Sequence, residues 1–272
     1  MALTTVALLP HSPLLIPEIG RANYSFLAKT AAAYEEIKAL LKANPVDTVI
    51  VISPHSAPQA DSFVLNVAPE MEINLKDFGF IPPKTILTGD AFLADQITNA
   101  LRPEFSLQLV SETVLDHGSA IPLYLLKEAC GQAKIIVISP NESLSLGDQW
   151  RFGERLRTVL MANEKNIALI ASGDLSHRLK KKSPGGYSPK GAKFDNKLIE
   201  YLSDPASASE NILKMDAKLI NDAGECGLRP LLILLGVLNG SKWQSEVLSY
   251  QTDFGIGYLA MNFKLWTPSQ TS

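Results

Sequence analysis

Short apolar runs rich in β-branched residues alternate along this chain with longer segments in which apolar positions recur every three or four residues. The apolar runs predict buried strands at 5–9, 48–52, 134–138 and 167–171, with further strands at 63–67, 246–249 and 255–263. The helical spacing predicts helices at 22–43, 90–101, 119–129, 146–161, 194–202 and 228–238. This alternation predicts an α/β fold in which helices cover both faces of a sheet.

One long polar segment interrupts the pattern at residues 180–193, where Gly, Pro, Ser and Lys dominate. Such a segment either borders a functional site or is a mobile surface excursion. No shift in composition separates two parts of the chain, so we predict one domain over residues 1–272.

Composition and charge exclude several classes of function. The chain is 46% hydrophobic and 19% charged, which is typical of a well-packed globular protein. A net charge of -3 and a basic run at 178–182 that Leu179 interrupts argue against a nucleic-acid partner. The sequence shows no membrane segment and no secretion signal, which predicts a cytoplasmic protein whose two cysteines, Cys130 and Cys226, are free thiols.

All four histidines fall beside predicted strand ends or turns. His11 and His55 follow the strands at 5–9 and 48–52, His177 follows the strand at 167–171, and His117 precedes the helix at 119–129. A single histidine is more often a packing or turn residue than a ligand. Because ligands collect at the carboxyl ends of strands in open α/β sheets, four such positions together predict one shared crevice.

Two imidazoles and one carboxylate form the ligand set of non-haem Fe(II) oxygenases. Glu225, just before the apolar helix at 228–238, offers the carboxylate, and the adjacent Cys226 is an alternative soft ligand for iron, zinc or copper. An exposed helix-start glutamate beside an inert cysteine is the simpler interpretation of that pair. Asp174, three residues before His177, either orients this imidazole for acid–base work or caps a turn.

The motifs LLPHSPLLIPEIG, VISPHS, LDHGSAIPLYLL, ASGDLSHRL, GGYSPKGAKFD and ECGLRPLLILLGVLNG resemble the class III extradiol ring-cleavage dioxygenase superfamily. This is the family of the protocatechuate 4,5-dioxygenase beta subunit, and the likeness is greatest to the bacterial branch akin to Memo and the AmmeMemoRadiSam proteins. The resemblance runs in order from residue 10 to about residue 257. It implies a three-layer α/β/α sandwich with a mixed central sheet, forming a single LigB-like dioxygenase domain.

The resemblance also implies roles for individual residues. His11 and His55 match the histidine ligands of a mononuclear Fe(II), with Glu225 as the nearest carboxylate, while His177 matches the acid–base histidine and His117 a second active-site histidine. In the Memo branch the third ligand is a cysteine that precedes a glycine, and Cys226 stands in that place.

Two functions follow from the two ligand sets. The first is an Fe(II)-dependent extradiol dioxygenase that opens a catechol-type aromatic diol with O₂. The second is a Memo-like protein that binds iron, copper or zinc, has no catechol dioxygenase activity and acts in redox or radical-SAM-associated chemistry. The family resemblance implies either a homodimer or a small second subunit as the protein partner.

Overall fold

The computed structural model describes residues 3–55 and 62–266, which form ten strands and nine α-helices. The strands are β1 Leu3–Leu9, β2 Thr48–Ile52, β3 Phe63–Asn66, β4 Glu70–Glu72, β5 Ile86–Thr88, β6 Leu107–Val110, β7 Lys134–Ser139, β8 Ile167–Ser172, β9 Trp243–Gln251 and β10 Tyr258–Leu265. The helices are α1 Pro17–Gly20, α2 Ala28–Ala43, α3 Ala91–Leu101, α4 His117–Cys130, α5 Leu146–Met161, α6 Pro189–Leu202, α7 Ala208–Leu213, α8 Ala217–Ala223 and α9 Leu228–Leu238. Among the helices in the described part of the chain, none combines the length and the apolar character that a bilayer crossing requires.

Eight strands form one mixed sheet in the order β6-β3-β7-β2-β8-β1-β10-β9, and β4 pairs with β5 separately. The four central strands β7, β2, β8 and β1 are mutually parallel. At one side β10 and β9 continue the sheet in antiparallel pairing, and at the other side β3 pairs antiparallel with β7 and parallel with β6. The prediction of a mixed central sheet is confirmed.

Alternate side chains of the central strands enter two separate apolar layers. Ile50 and Ile52 of β2 belong to the layer that α3, α5, α6, α8 and α9 cover, whereas Val49 and Val51 belong to the layer under α2 and α4. Strands buried on both faces are expected to be continuously apolar, as β2 is. The fold is a three-layer α/β/α sandwich, as predicted.

Several predicted bounds agree with the structure and others shift for identifiable reasons. The segment predicted as one helix at 22–43 is a 3₁₀ helix at Arg21–Leu27 followed by α2, because Leu27 leaves the helical region at φ -106 and ψ 22. Helix α6 begins at Pro189 rather than 194, since Ser188 accepts a hydrogen bond from the Lys190 N–H and a proline suits the first helical position. The closing strand begins at Tyr258, after Gly255 turns the chain at φ +75.

Six short elements were not predicted: α1, β4, β5, β6, α7 and α8. Each has seven residues or fewer, which is too short to show a clear period. None of the six carries a predicted site residue.

The parallel alignment sets the position of the site. Because β1, β2, β7 and β8 run in the same direction, their carboxyl ends lie on one edge of the sheet. His11 lies two residues beyond the end of β1, His55 three residues beyond β2, and Asp174 two residues beyond β8. The loops that carry these three residues therefore lie at the same edge of the sheet.

Helices α5 and α9 touch backbone to backbone through two glycines. A Cβ at Gly236 of α9 would overlap the Trp150 carbonyl oxygen of α5, and a Cβ at Gly153 of α5 would overlap the Ile233 carbonyl oxygen of α9. The two helices can approach this closely only because both positions lack a side chain.

We expect Gly236→Ala to lower the free energy of unfolding by roughly 1–3 kcal/mol, because rigid backbone stands where the new methyl group would lie. Chemical denaturation followed by circular dichroism measures this loss. Gly147→Ala is the matched control, since its Cβ would meet only Ser145 Oγ, 3.6 Å away, and should leave stability unchanged or slightly raised. Equal stability of the two variants would contradict the proposed close contact.

Candidate metal centre

His11 is held firmly at the carboxyl edge of the sheet. The residue is 3% exposed, and its backbone N–H donates to Asp174 Oδ1 at 3.2 Å. Just before it, the Pro10 carbonyl oxygen accepts a hydrogen bond from the Tyr34 hydroxyl at 2.7 Å. Hydrogen bonds at His11 and at the preceding residue therefore fix the position of the loop that carries this imidazole.

The hydrogen bonds of His11 define its tautomer. Ser172 Oγ donates its only proton to the Gly118 carbonyl oxygen at 2.5 Å, so it accepts a hydrogen bond from His11 Nδ1, 3.0 Å away. The proton of the neutral ring is therefore on Nδ1, and Nε2 presents a free lone pair. Burial, reinforced by the nearby His117, lowers the pKa of His11 to about 3, so the ring is neutral near pH 7.

Two further potential metal ligands, His55 and Cys226, lie beside this lone pair. His11 Nε2 lies 3.1 Å from His55 Nε2 and 3.7 Å from Cys226 Sγ, and the ligand atoms of the three residues all lie within 4.8 Å of one another. Burial and the neighbouring His11 lower the pKa of His55 to about 3 as well. Both imidazoles are thus in the unprotonated form that binds metal ions.

Cys226 reaches this position because two glycines let its loop approach the end of β8. A Cβ at Gly173 would overlap Gly227 Cα, and a Cβ at Gly227 would lie only 3.1 Å from the Asp174 carbonyl oxygen. The Asp174 N–H donates to Cys226 Sγ at 3.3 Å. Burial raises the pKa of the Cys226 thiol well above its usual range, and a metal ion bound at the sulfur would remove the proton.

Glu225, predicted as the carboxylate ligand, has a different set of contacts. Its Oε2 accepts a hydrogen bond from the Leu228 N–H at 2.7 Å, at the start of α9. Burial raises the pKa of the Glu225 carboxyl to about 7. The structure groups His11 and His55 with Cys226, the alternative third ligand, and does not include Glu225 in that group.

The sequence predicted that His117 precedes the helix. In the structure it lies in the first turn of α4. The turn is fixed by Asp116, whose carboxylate accepts hydrogen bonds from the Ser119 N–H at 3.1 Å and from Ser53 Oγ at 2.6 Å. The His117 ring stacks on His55 with 4.2 Å between centroids, and it lies edge-on to His11 at 5.3 Å. Asp116 thus ties the loop of one predicted ligand to the helix of a predicted active-site histidine.

His177 also lies at this edge, and its tautomer is defined. Its Nδ1 lies 2.7 Å from the Gly224 carbonyl oxygen, which can only accept, so Nδ1 carries the proton of the neutral ring. The free Nε2 faces Asp174 Oδ2 at 3.9 Å, and the same oxygen lies 3.9 Å from His11 Nε2. Burial raises the pKa of Asp174 to about 6, although the nearby His177 opposes this rise.

The polar segment predicted at 180–193 borders the site. The Gly185 N–H donates to the His177 carbonyl oxygen at 3.1 Å, and Ser183 Oγ donates to the Gly255 carbonyl oxygen at 2.8 Å. Of the two alternatives for this segment, a border of the site agrees with these contacts.

Sequence reasoning missed a buried carboxylate that supports the loop from Asp174 to His177. Asp195 of α6 is completely buried, and its two oxygens accept hydrogen bonds from the Ser176 N–H at 2.9 Å and the Tyr250 hydroxyl at 2.7 Å. Burial raises the pKa of Asp195 to about 6. The available signal was an aspartate on the apolar face that Phe194 and Leu198 define.

Asp195 makes stability depend on pH. Its pKa is about 6 in the folded protein and 3.8 as the reference value, so folding favours the protonated form. The resulting stabilisation is fully present below pH 3.8 and is lost as the pH rises through 6. We therefore expect the stability of the wild type relative to Asp195→Asn to fall by roughly 2 kcal/mol between pH 4 and pH 7.

Urea unfolding of both proteins at several pH values measures this difference. Asp95→Asn, which removes an exposed carboxylate of α3, is the control for the loss of one negative charge. Parallel pH curves for the wild type and Asp195→Asn would show that burial does not shift the ionisation of Asp195.

Comparison with known proteins supplies the family. Residues 5–261 match the family described as the catalytic LigB subunit of aromatic ring-opening dioxygenase. Protein CA_C1420 of Clostridium acetobutylicum is 32% identical over 277 aligned positions, which cover 98% of this chain and 58% of that protein. The chain thus spans little more than half the length of this relative.

A solved structure has the same fold. The crystal structure of uncharacterized protein JW3007 from Escherichia coli K12 superposes with a TM-score of 0.66 and covers 95% of this chain and 99% of its own, at 19% sequence identity. This likeness supports the fold alone. On the match over residues 5–261, the chain belongs to the family of catalytic LigB subunits of aromatic ring-opening dioxygenases.

Proposed function

We propose that this protein is a metal-dependent oxidoreductase that binds Fe(II) through His11, His55 and Cys226 and acts with O₂ on a catechol-type aromatic diol. The observation that carries the proposal is the convergence, on one edge of the sheet, of three ligand atoms and a neighbouring His177–Asp174 pair, whose Nε2 and Oδ2 lie 3.9 Å apart. The family match supports a ring-opening reaction, and the residues at the edge supply the groups that it needs.

The ligand atoms have spacings that suit one ion. Two imidazole nitrogens at ~2.1 Å and a thiolate sulfur at ~2.3 Å from one ion lie about 3.0–3.6 Å apart, the shorter spacing belonging to octahedral and the longer to tetrahedral coordination. The observed separations are 3.1 Å between the nitrogens and 3.7 Å from His11 Nε2 to Cys226 Sγ. Imidazole and thiolate suit iron, zinc and copper, so zinc and copper are the alternative ions.

His11, His55 and Cys226 would hold Fe(II), which would supply open coordination positions for a diol and O₂. The chain's own contribution is the placement of proton-transfer groups beside those positions. The free Nε2 of His177 accepts the proton of a substrate hydroxyl, while the Gly224 carbonyl oxygen holds the proton on Nδ1. Asp174 Oδ2, 3.9 Å from Nε2, stabilises the positive charge that the ring then acquires. His117 provides a second imidazole beside His55.

The third ligand favours a second candidate function. Ring-opening by non-haem iron normally uses a carboxylate beside two histidines, whereas the group here contains Cys226. A thiolate suits a protein that binds iron, copper or zinc for redox or radical-SAM-associated chemistry and opens no catechol ring. The two candidates share His11, His55 and Cys226 and differ in whether a diol is turned over.

We expect Cys226→Ser to weaken metal binding by at least about tenfold, because even the loss of a group that only orients a ligand costs that much. Titration with Co(II) measures the affinity, and the sulfur-to-cobalt charge-transfer absorption of the wild type should vanish in the variant. Glu225→Gln is the matched control, since its amide oxygen still accepts from the Leu228 N–H, and it should bind Co(II) like the wild type. Loss of binding in Glu225→Gln with normal binding in Cys226→Ser would make Glu225 the third ligand.

Oxygen uptake tests the reaction. Protein reconstituted with Fe(II) without oxygen should consume O₂ when catechols are added, and His177→Gln should lower kcat about 10²–10⁴-fold by removing the proton acceptor. The iron content of His177→Gln should equal that of the wild type, because His177 is not among the three ligands. If the fully loaded wild type consumes no O₂ with any catechol, the second candidate function replaces the first.

A further inference from the structure

A cavity of about 280 Å³ lies beside the metal centre and has no part in the function described above. Aliphatic side chains form most of its wall: Val64 and Val137 on the sheet, and Val114 and Leu115 on the segment that leads to α4. Pockets for drug-sized molecules hold about 300–1,000 Å³, so this cavity suits a group the size of one ring.

The floor of the cavity contains a hydroxyl group with unused hydrogen-bonding capacity. Ser139, the last residue of β7, lines the cavity and is 3% exposed. Its Oγ has no hydrogen-bond partner among the residues that the structure describes. A buried polar group without a partner is unfavourable, and a ligand atom that hydrogen-bonds to it removes this cost.

The cavity and the metal centre share a wall. Asp116 lines the cavity, and its carboxylate accepts a hydrogen bond from Ser53 Oγ, which in turn accepts from the His55 N–H at 3.3 Å. His117 is the next residue after Asp116, and its ring stacks on the ring of His55. A molecule in this cavity therefore lies next to the residues that hold and flank the proposed metal ion.

The charges at the cavity restrict what it can hold. Its charged lining residues are Glu112 and Asp116, both acidic, and no lysine or arginine lines it in the described part of the chain. An anionic group would be repelled there, whereas an uncharged group fits the aliphatic wall. Asn66 has its amide engaged, since Nδ2 donates to the Glu112 carbonyl oxygen at 2.9 Å and Oδ1 accepts from the Ala68 N–H.

We infer that this cavity is a binding subsite for an uncharged, largely apolar group, of about one ring in size, that carries a hydroxyl or carbonyl oxygen bonded to Ser139. Given its shared wall with the metal centre, the group is the part of the substrate remote from the metal. This last assignment rests on the proposed function, whereas the existence of the subsite does not.

Three probes of similar size test the subsite: benzyl alcohol, toluene and benzoate. Amide resonances of the full-length protein are followed by NMR during titration with each. We expect benzyl alcohol to shift the amides of Val114 and Leu115 and to bind about 5–10-fold more tightly than toluene, because only the alcohol can hydrogen-bond to Ser139. Benzoate, repelled by Glu112 and Asp116, should leave these amides unshifted.

Variants separate the hydrogen bond from the apolar contact. Ser139→Ala should bind toluene as the wild type does and lose the preference for benzyl alcohol. Val114→Phe, at a half-exposed position, should block both probes. Thr5→Val is the matched control, because it removes another buried hydroxyl that has no partner among the described residues. Thr5 lies in the half of β1 remote from His11, so this variant should bind both probes as the wild type does.

The subsite is rejected if benzyl alcohol leaves Val114 and Leu115 unshifted, or if Ser139→Ala keeps the preference for the alcohol. No step of this test requires turnover, oxygen or a diol. A failed catechol assay therefore rejects the proposed reaction and leaves the subsite proposal unaffected. A failed titration rejects the subsite and leaves the proposed reaction unaffected.

Discussion

The parallel pairing of β1, β8 and β2 is the constraint on which the whole site depends. Leu9 pairs with Ser172, and Ile52 pairs with Ala171, so the three strands end at the same level. The loops that follow carry His11, Asp174 and His55, and they meet because the strands beneath them have no freedom to shift. A slip of one residue in a strand buried on both faces would exchange its two apolar sets, which the helices on each face do not allow.

Much of this arrangement can be predicted from the sequence because it follows from periodicity. The bounds of β2, α5 and α9 were predicted to the residue, and histidines behind parallel strands were expected to meet at one edge. The ring contacts among His11, His55 and His117 agree with that expectation.

The choice between Glu225 and Cys226 is different, since the two residues are adjacent and periodicity cannot separate them. It depends on how the backbone turns at Gly224, which has φ +60, and on the contact of Gly227 with Gly173. Both are tertiary features. Asp195 and Ser139 were missed for a related reason: Asp195 lies on the apolar face of α6 and Ser139 ends the apolar strand β7, and only the neighbours of each in space reveal what it contacts.

Asp116 links the metal centre to the neighbouring cavity. Its carboxylate caps α4, accepts a hydrogen bond from the loop of His55 and forms part of the cavity wall. The first turn of α4 carries His117, so the capping carboxylate also sets where that imidazole stands relative to His55. A group bound in the cavity would press against the same carboxylate that positions these rings. If the cavity holds the remote part of a substrate, its recognition and the alignment at the metal act through one partly buried side chain, and a molecule that fills the cavity poorly would also leave the histidines poorly aligned.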